Sequence, residues 1–373
     1  MKKLLKYPVL VLFLAAIAVI GVLNVVTPDK KVSETENRDL QQMPRISFSA
    51  LLDSSERGFA QKYETYLSDQ FVWRDGWISA KSVAEALLGK TENNGIAYGS
   101  DGYMFGIYRT LDESNLQKNV EWLLKFAEAH PDLAADLLIV PSSYTVLTDK
   151  APAHLGNVDE TQEIADIYDA LSDCYSTFDV QPALSAHSDE YIYYRTDHHW
   201  TTLGALYGYE YYGKVLGFTA NKPSETAENT SEGFLGTYYN KAKKYNAVSD
   251  TLTWYDLPVT SVTIGGEAVD GLYDLEKLQT RDRYAMFLHG NNGVTEIVNA
   301  DAPEGSILVV KDSYANCFVP FLTQSFRTVT VVDLRYMPTG FEELIKSGSF
   351  DRMLVLYNFQ NFASDTNIYR LMY

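Results

Sequence analysis

The stretch Ile307-Leu308-Val309-Val310-Lys311-Asp312-Ser313 decides the fold prediction for this chain. Four consecutive apolar residues are typical of a strand that is buried on both faces of a parallel sheet. In open α/β sheets, reactive groups collect where such strands end. A serine in the turn into a helix exposes its hydroxyl, and the N–H groups of the helix N-terminus can stabilise an oxyanion. Ser313 is therefore a candidate nucleophile, although serine is also a common helix N-cap.

Similar apolar runs of strand length occur on both sides of this stretch, at residues 137–140, 328–332 and 353–357, and Phe178-Asp179-Val180 is strand-like. Helical spacing of apolar residues marks segments between some of them, at residues 116–127 and 164–174. Alternation of this kind predicts a parallel sheet with helices on both faces. We therefore expect an α/β domain with a mainly parallel sheet.

Two segments depart from the alternation. Residues 95–105 predict a β-hairpin, with turn residues at Ser100-Asp101-Gly102. Residues from about 219 to 297 contain polar loops and short strands, including 259–264 before the turn Gly265-Gly266. We interpret this second segment as an insertion over one end of the sheet, forming a lid-like region.

The N-terminus predicts the compartment. Lys2, Lys3 and Lys6 precede an apolar run from Tyr7 to Val26, which is long enough to span a bilayer as a helix. The basic flank predicts a cytoplasmic N-terminus and an extracellular domain. A cleaved signal peptide is the alternative, but the run lacks a small-residue cleavage site, so we favour a single-pass anchor in the cell membrane.

The domain organisation that follows is an anchor at residues 1–27, a stalk at 28–47 and an α/β domain at 48–373. The net charge of −18 and the sequence pI of about 4.7 argue against nucleic acid as a partner. Two cysteines, Cys174 and Cys317, are too few for a disulfide scaffold, and whether they pair is left open. The 27 tyrosines suit either sugar stacking or ordinary core packing.

The second chemical motif is Thr196-Asp197-His198-His199-Trp200, at the start of a predicted helix. A serine nucleophile needs a base, and the base needs an acid that fixes its tautomer. In an Asp-x-His arrangement, the carboxylate can reach the imidazole Nδ1 two residues later, which leaves Nε2 free to face a serine. Asp197 and His199 are therefore the candidate acid and base for Ser313. The alternative is a capped helix with two surface histidines, which would have the same residues.

Together these motifs resemble the DHHW family of bacterial surface proteins. The matching segments are Glu36-Asn37-Arg38, Tyr98-Gly99-Ser100-Asp101-Gly102-Tyr103, Asp197-His198-His199-Trp200, Lys311-Asp312-Ser313-Tyr314-Ala315-Asn316 and Asp333-Leu334-Arg335-Tyr336. The resemblance covers the chain after residue 32, and that family is similar to the SGNH-like alginate O-acetylation proteins. It implies an SGNH-hydrolase-like three-layer sandwich that transfers O-acetyl groups to, or removes them from, an exported polysaccharide, without a cofactor or metal.

Carried over residue by residue, the resemblance makes Asp197, His199 and Ser313 the catalytic triad. It also implies a membrane-bound O-acyltransferase as a possible partner. Lys311 departs from the family pattern, since SGNH hydrolases have glycine there.

The remaining site residues are candidates only. The candidates for an oxyanion-hole amide are Asn358, Asn316 and Asn361. The candidates for substrate binding are Trp200, His198 and Tyr314.

Two other functions stay open at this point. A metal-dependent phosphoesterase also uses an Asp-His-His string, because carboxylate and imidazole ligate divalent metals. A non-catalytic glycan-binding module would explain the tyrosines and the anchor equally well. The polysaccharide, the acyl donor and the direction of the reaction are not determined by the sequence.

Overall fold

The computed structural model describes residues 7–33, 38–47, 58–224 and 227–373. These residues belong to two compact units, Met1–Lys90 with Lys243–Asn246, and Thr91–Ala242 with Ala247–Tyr373. The domain limits at residues 27 and 47 remain a sequence prediction, and Lys2, Lys3, Lys6 and Glu36-Asn37 lie outside the described residues.

The first unit contains an apolar helix near the N-terminus. Its elements are α1 (Pro8–Val26), β1 (Val32–Ser33), β2 (Arg38–Asp39), α2 (Phe59–Asp69) and α3 (Arg74–Leu87). Helix α1 has a mean hydropathy of 3.0 and no residue buried against the rest of the protein. Its length and composition would let it cross a membrane, and a signal sequence would have the same properties.

The second unit carries the strands and helices predicted from residue 95 onwards. Its strands are β3 (Glu92–Asn93), β4 (Ile96–Tyr98), β5 (Met104–Gly106), β6 (Ala134–Val140), β7 (Ser176–Thr177), β8 (Glu228–Phe234), β9 (Asp250–Tyr255), β10 (Ser261–Ile264), β11 (Glu267–Val269), β12 (Val294–Val298), β13 (Ser306–Lys311), β14 (Thr328–Val332) and β15 (Arg352–Asn358). Its α-helices are α4 (Glu113–Ala129), α5 (Ser143–Val146), α6 (Glu160–Leu171), α7 (Gln181–Ser185), α8 (Thr202–Leu216), α9 (Thr237–Ala242), α10 (Val319–Leu322), α11 (Phe341–Ser347) and α12 (Phe359–Ser364).

The central sheet has the strand order β11-β10-β12-β14-β13-β15-β6-β7. The strands from β14 to β7 are parallel, and β12, β10 and β11 extend the sheet in antiparallel pairing. The predicted mixed α/β fold with a mostly parallel sheet is therefore confirmed. The β4–β5 hairpin also lies where the sequence predicted it.

Two predicted elements differ from the structure. The strand expected at residues 178–180 is β7 instead, at Ser176–Thr177, because the chain turns into α7 after Phe178 has bonded to the Leu137 carbonyl. Within the segment 219–297, β10 and β11 belong to the central sheet rather than covering it, since β10 pairs with β12. Strands β8 and β9 form a separate two-stranded sheet, and a lid remains a prediction.

The core has two parts because successive residues of a strand point to opposite faces. Ile307 and Val309 of β13 pack on the face that α8 covers, whereas Leu308 and Val310 pack on the face that α4 and α6 cover. Several of the largest fully buried side chains are tyrosines: Tyr193, Tyr194, Tyr209, Tyr212, Tyr314 and Tyr357. These six tyrosines serve the core rather than a sugar-stacking surface. Both cysteines are free.

One buried carboxylate links α8 to the sheet. Asp136 of β6 accepts hydrogen bonds from the Tyr212 hydroxyl at 2.6 Å and from Arg352 Nε at 2.9 Å. Asp136 is fully buried, so its carboxylate depends on these partners. The contact joins the helix that follows the Asp197–His199 segment to two adjacent parallel strands.

We expect Tyr212→Phe to lower the free energy of unfolding by about 1–3 kcal/mol, because it removes a donor from a buried carboxylate. Chemical denaturation in detergent measures this change. Tyr211→Phe is the matched control, since the Tyr211 hydroxyl has no hydrogen-bond partner among the described residues. Equal effects of the two substitutions would show that the Tyr212 hydroxyl does not support the fold.

Candidate active site

Ser313 lies at the first turn after β13. The segment Ser313–Cys317 is a 3₁₀-helix followed by α10, so the α-helix expected directly after Ser313 is replaced by a tighter turn. Asp312 caps this turn by accepting the Tyr314 N–H at 2.8 Å. Ser313 is the one residue between Ile307 and Thr323 that is not buried, so the turn exposes the predicted nucleophile.

Asp312 also ties this turn to the neighbouring strand. Its Oδ2 accepts the Asn358 N–H at 2.9 Å and Asn361 Nδ2 at 2.7 Å. Burial raises the pKa of Asp312, while these hydrogen bonds act in the opposite direction. Asp312 was not predicted from the sequence to take part in the site. An Asp immediately before a short helix is an N-cap signal, but its link to β15 has no local signature.

A second buried carboxylate holds the segment before the predicted dyad. Asp250 of β9 accepts the Arg195 N–H at 2.7 Å and the Thr196 N–H at 2.8 Å, together with the hydroxyls of Thr196 and Tyr191. Thr201 then caps α8 by accepting the Gly204 N–H at 3.3 Å. The loop between these two anchor points carries Asp197, His198 and His199.

The structure brings the three predicted triad residues together. His199 Nδ1 lies 2.6 Å from Asp197 Oδ1, and His199 Nε2 lies 2.8 Å from Ser313 Oγ. Both Asp197 and His199 are buried, at 2% and 5% exposure, whereas Ser313 is partly exposed. Hydrogen bonds therefore link Asp197, His199 and Ser313 in that order, and solvent reaches this arrangement at the serine.

The surroundings of Asp197 determine which nitrogen of His199 carries a proton. Burial on its own would raise the pKa of Asp197, but the charges of His198 and His199 and the N–H of Thr237, at 2.7 Å, hold it well below its usual value. The carboxylate is therefore ionised and can only accept hydrogen bonds. Consequently His199 donates from Nδ1, and Nε2 is free to accept the Ser313 hydroxyl proton.

The close approach of the backbone at residues 236–237 to the Asp197 carboxylate requires glycine at position 236. A β-carbon at position 236 would clash with the carboxylate of Asp197. Its neighbour Thr237 donates the N–H that reaches Asp197 Oδ2. Both residues belong to the segment that the sequence analysis interpreted as an insertion, and neither was predicted to take part in the site.

His198 is partly exposed and differs from its neighbour. Its Nδ1 lies 2.7 Å from Thr237 Oγ1, and its ring lies 3.8 Å from that of His199. Desolvation lowers the pKa of His198 to about 4, and the adjacent His199 contributes in the same direction. His198 is therefore neutral near pH 7. Its contact with substrate remains a prediction.

Tyr284 is a site residue that the sequence analysis missed. Its ring is stacked on the imidazole of His199 at 3.8 Å and 12°. Its hydroxyl donates to the Ser313 carbonyl at 3.1 Å and lies 3.3 Å from Cys317 Sγ. Tyr284 thus contacts both the base and the turn of the nucleophile. No local pattern in Arg283–Met286 indicates this role.

The three asparagine candidates have other partners. Asn358 Nδ2 donates to the Val140 carbonyl at 3.0 Å, and Asn361 Nδ2 donates to Asp312. Asn316 Nδ2 makes the longer contacts, 3.2 Å to Asn291 Oδ1 and 3.5 Å to the Gly290 carbonyl, and Asn316 Oδ1 is buried without a partner among the described residues. Of the three amides, that of Asn316 is the least committed.

Trp200 and Tyr314 lie beneath the site rather than at its opening. Both are fully buried, and Trp200 Nε1 donates to the Tyr314 carbonyl at 2.8 Å. The Tyr314 hydroxyl donates to the His198 carbonyl. These bonds connect the histidine segment to the serine turn. Trp200 and Tyr314 therefore link the two loops from below, and their contact with substrate remains a prediction.

Lys311 belongs to a buried ion network. Its Nζ donates to Asn291 Oδ1 at 2.7 Å and lies 3.3 Å from Asp333 Oδ2, which also pairs with Arg335 at 2.6 Å. Burial lowers the pKa of Lys311 to about 8, against the opposing charge of Asp333. Lys311, which stands where SGNH hydrolases have glycine, therefore forms an ion pair with Asp333 at the end of β14.

Asp197, His198 and His199 could in principle hold a metal ion, because one ligand atom from each lies within 4.8 Å of the others. Metal binding would compete with the hydrogen bonds of the site. Asp197 Oδ1 is bonded to His199, and His198 Nδ1 is bonded to Thr237. The donor set fits the hydrogen-bonded arrangement better than it fits an open metal site.

An ionised aspartate and an oriented histidine from the loop before α8 meet a partly exposed serine after the parallel strand β13, which is a Ser-His-Asp arrangement on an α/β fold. A sequence profile described as "DHHW protein" matches residues 122–332, more than half of the chain. The chain belongs to the DHHW family.

Among solved structures, the chain is similar to a DHHW family protein from Eubacterium siraeum DSM 15702, with 24% identity and a TM-score of 0.64 over 74% of this chain and 95% of that chain. It is similar to Bacillus cereus PatB1, solved with a sulfonyl adduct, with 20% identity and a TM-score of 0.61 over 74% and 97%. The O-acetyltransferase domain of Pseudomonas putida AlgJ matches with 16% identity and a TM-score of 0.45 over 73% and 93%. No curated protein matches the sequence.

We expect Gly236→Ala to lower the free energy of unfolding by about 1–3 kcal/mol, because the added methyl group displaces Asp197 from a packed site. Denaturation curves measure the change. Gly76→Ala is the control, since a β-carbon at position 76 of α3 would contact nothing within 4 Å. A neutral Gly236→Ala variant would contradict the close approach to Asp197.

We expect stability to fall as the pH drops from about 6.5 towards 4, because the unfolded chain then binds a proton at His198 that the folded protein does not bind. His198→Asn should make the free energy of unfolding less dependent on pH in this window. Denaturation at about pH 7 and about pH 5 compares the two proteins. The same pH dependence in both would mean that His198 does not contribute.

Proposed function

We propose that the protein is a serine-dependent enzyme of the SGNH-hydrolase-like type that transfers or removes O-acetyl groups. Its substrate would be a cell-surface or exported polysaccharide, and the site would lie outside the cell. The observation that supports this proposal is the hydrogen-bonded chain from Asp197 through His199 to the partly exposed Ser313. A sheet covered by helices on both faces is compatible with the three-layer architecture of that type.

In the first half of the reaction, Ser313 Oγ attacks the carbonyl carbon of an acetyl ester, and its proton passes to His199 Nε2. Asp197 stabilises the imidazolium through Nδ1. The tetrahedral intermediate collapses by breaking the bond to the alcohol, which leaves with the proton of His199. The acetyl group is then an ester of Ser313.

In the second half, a hydroxyl of the acceptor attacks the acetyl carbonyl while His199 Nε2 takes its proton. A sugar hydroxyl makes the enzyme a transferase, and water makes it an esterase. Collapse of this intermediate releases the new ester or acetate and returns the proton to Ser313 Oγ. Tyr284, stacked on the imidazole, keeps the ring oriented through both halves.

The developing oxyanion needs donors that are not already occupied. Asp312 takes the Tyr314 N–H, so the N–H of Ser313, the first residue of its 3₁₀ turn, is the main-chain donor that we propose. Asn316 is the side-chain donor that we favour, because the shortest contact of its Nδ2, at 3.2 Å, is longer than the shortest contacts of Asn358 and Asn361, at 3.0 and 2.7 Å.

The proposal that the substrate is an acetylated polysaccharide rests on the family resemblance and not on the geometry of the site. His198, partly exposed beside His199, is the substrate-binding candidate best placed for contact with a sugar. Helix α1 would place the site at the outer face of the cell membrane. A membrane-bound O-acyltransferase would then lie in the same membrane, and a partnership with it remains a prediction.

The decisive experiment measures acetyl-enzyme chemistry at Ser313. We expect the purified protein to hydrolyse 4-nitrophenyl acetate and to be inactivated by a sulfonyl fluoride that labels Ser313. Ser313→Ala should lose more than about 99% of the activity and the label, because it removes the nucleophile. Peptide mass spectrometry locates the labelled residue.

Ser364→Ala is the matched control, because Ser364 also lies near a helix end but bonds only to the Gln360 carbonyl among the described residues. Full activity and labelling in Ser313→Ala would overturn the proposal. Retained labelling of Ser313 in His199→Ala at the unmodified rate would show that the histidine does not activate the serine. Activity that depends on added divalent metal would favour the phosphoesterase alternative.

A further inference from the structure

Helix α3 has an exposed apolar face. Trp73, at its N-cap, is 64% exposed, Trp77 is 50% exposed, and Leu87 and Leu88 are more than 80% exposed. Single exposed apolar residues are common, but an aligned set on one helix is not. We therefore interpret this apolar face as a surface that contacts a membrane or another protein.

The spacing of these residues places them on one side of the helix. Trp73, Trp77, Ala80, Ala84 and Leu87 follow each other at intervals of three or four residues, which is the repeat of a single helical face. Leu88 continues the same face at the C-cap.

The opposite side of α3 is polar. It carries Asp75, Ser79, Ser82 and Glu85, and buried Ser82 accepts the Tyr245 N–H at 3.1 Å. The helix is thus amphipathic, and its polar side contacts its own unit at Ser82 while its apolar side is exposed.

The start of α3 is bonded to the end of the apolar helix α1. The Val72 N–H donates to Asn24 Oδ1 at 2.7 Å, and Asn24 lies in the last turn of α1. Gln70 Nε2 donates to the Lys30 carbonyl at 2.9 Å, just beyond the end of α1. Trp73 and Trp77 therefore lie at the level where α1 would leave a bilayer.

The charged residues of this helix have oppositely charged partners, either on the helix or just outside it. Glu85 lies 3.4 Å from Lys81 and 3.0 Å from Lys90, and Asp75 lies 3.9 Å from Lys30. Such pairs leave little net charge to attract anionic lipids. Apolar contact, rather than electrostatic attraction, is the interaction that the surface offers.

From these observations we propose that α3 lies on the outer surface of the lipid bilayer, with Trp73 and Trp77 at the boundary between headgroups and acyl chains. Tryptophan is enriched at this depth because its ring is apolar and its N–H is polar. An amphipathic helix with a large apolar face lies in the plane of this boundary. The inference rests on the membrane location within the proposed function, and not on the acetyl chemistry.

The test uses the full chain in phosphatidylcholine vesicles. The chain has five tryptophans, and helix α1 has none, so tryptophan fluorescence reports on α3 independently of the anchor. Of the other three, Trp200 and Trp254 are buried and Trp122 is partly buried. We expect lipids brominated near the headgroup end of the acyl chain to quench part of the emission.

The matched variant is Trp73→Phe with Trp77→Phe, which keeps the face apolar. We expect it to float with the vesicles like the wild type while losing the quenching. Flotation with equal quenching in both proteins, or with no quenching in either, would overturn the proposal for α3. Cross-linking of Trp77→Cys between chains would instead assign the face to a second copy. Failure to float would refute the anchor as well, while leaving the activity of Ser313 as a separate result.

Discussion

The site depends on buried carboxylates that accept backbone N–H groups. Asp312 fixes the serine turn and ties it to β15, Asp250 fixes the chain before the histidine segment, and Asp197 fixes the histidine itself. A buried carboxylate is costly unless its oxygens are bonded, so each one constrains the loop that supplies its donors. Two loops far apart in the chain are thereby held within one hydrogen bond of each other.

The electrostatics of the site follow from the same bonds. In the acid range where Asp197 would titrate, the protonated imidazoles of His198 and His199 and the Thr237 N–H oppose the effect of burial on its pKa, so Asp197 is ionised near pH 7. His198 stays neutral because desolvation and its neighbour lower its pKa to about 4. The two histidines therefore differ: His199 is bonded to both Asp197 and Ser313, whereas His198 is a neutral polar group beside it.

The segment between α8 and β13 contributes contacts to the site and strands to the sheet. It supplies Gly236 and Thr237 against Asp197, Tyr284 against His199, and antiparallel strands that widen the central sheet. The backbone and side chains of this segment therefore complete the site whether or not a part of it moves. The likeness to a DHHW protein and to PatB1 supports the same fold, with a different sequence at most positions.

The sequence alone determined the mostly parallel sheet and the two motifs that meet, because burial on both faces and a two-residue Asp-x-His spacing are local patterns. Only the tertiary structure decided which groups support them. Asp197 and Thr237 are 40 residues apart, and Asp312 and Asn358 are 46 apart. Tyr284 and the commitments of the three asparagines have no local signal either. Such contacts exist only after the chain has packed, since they depend on which loops the sheet brings to one edge.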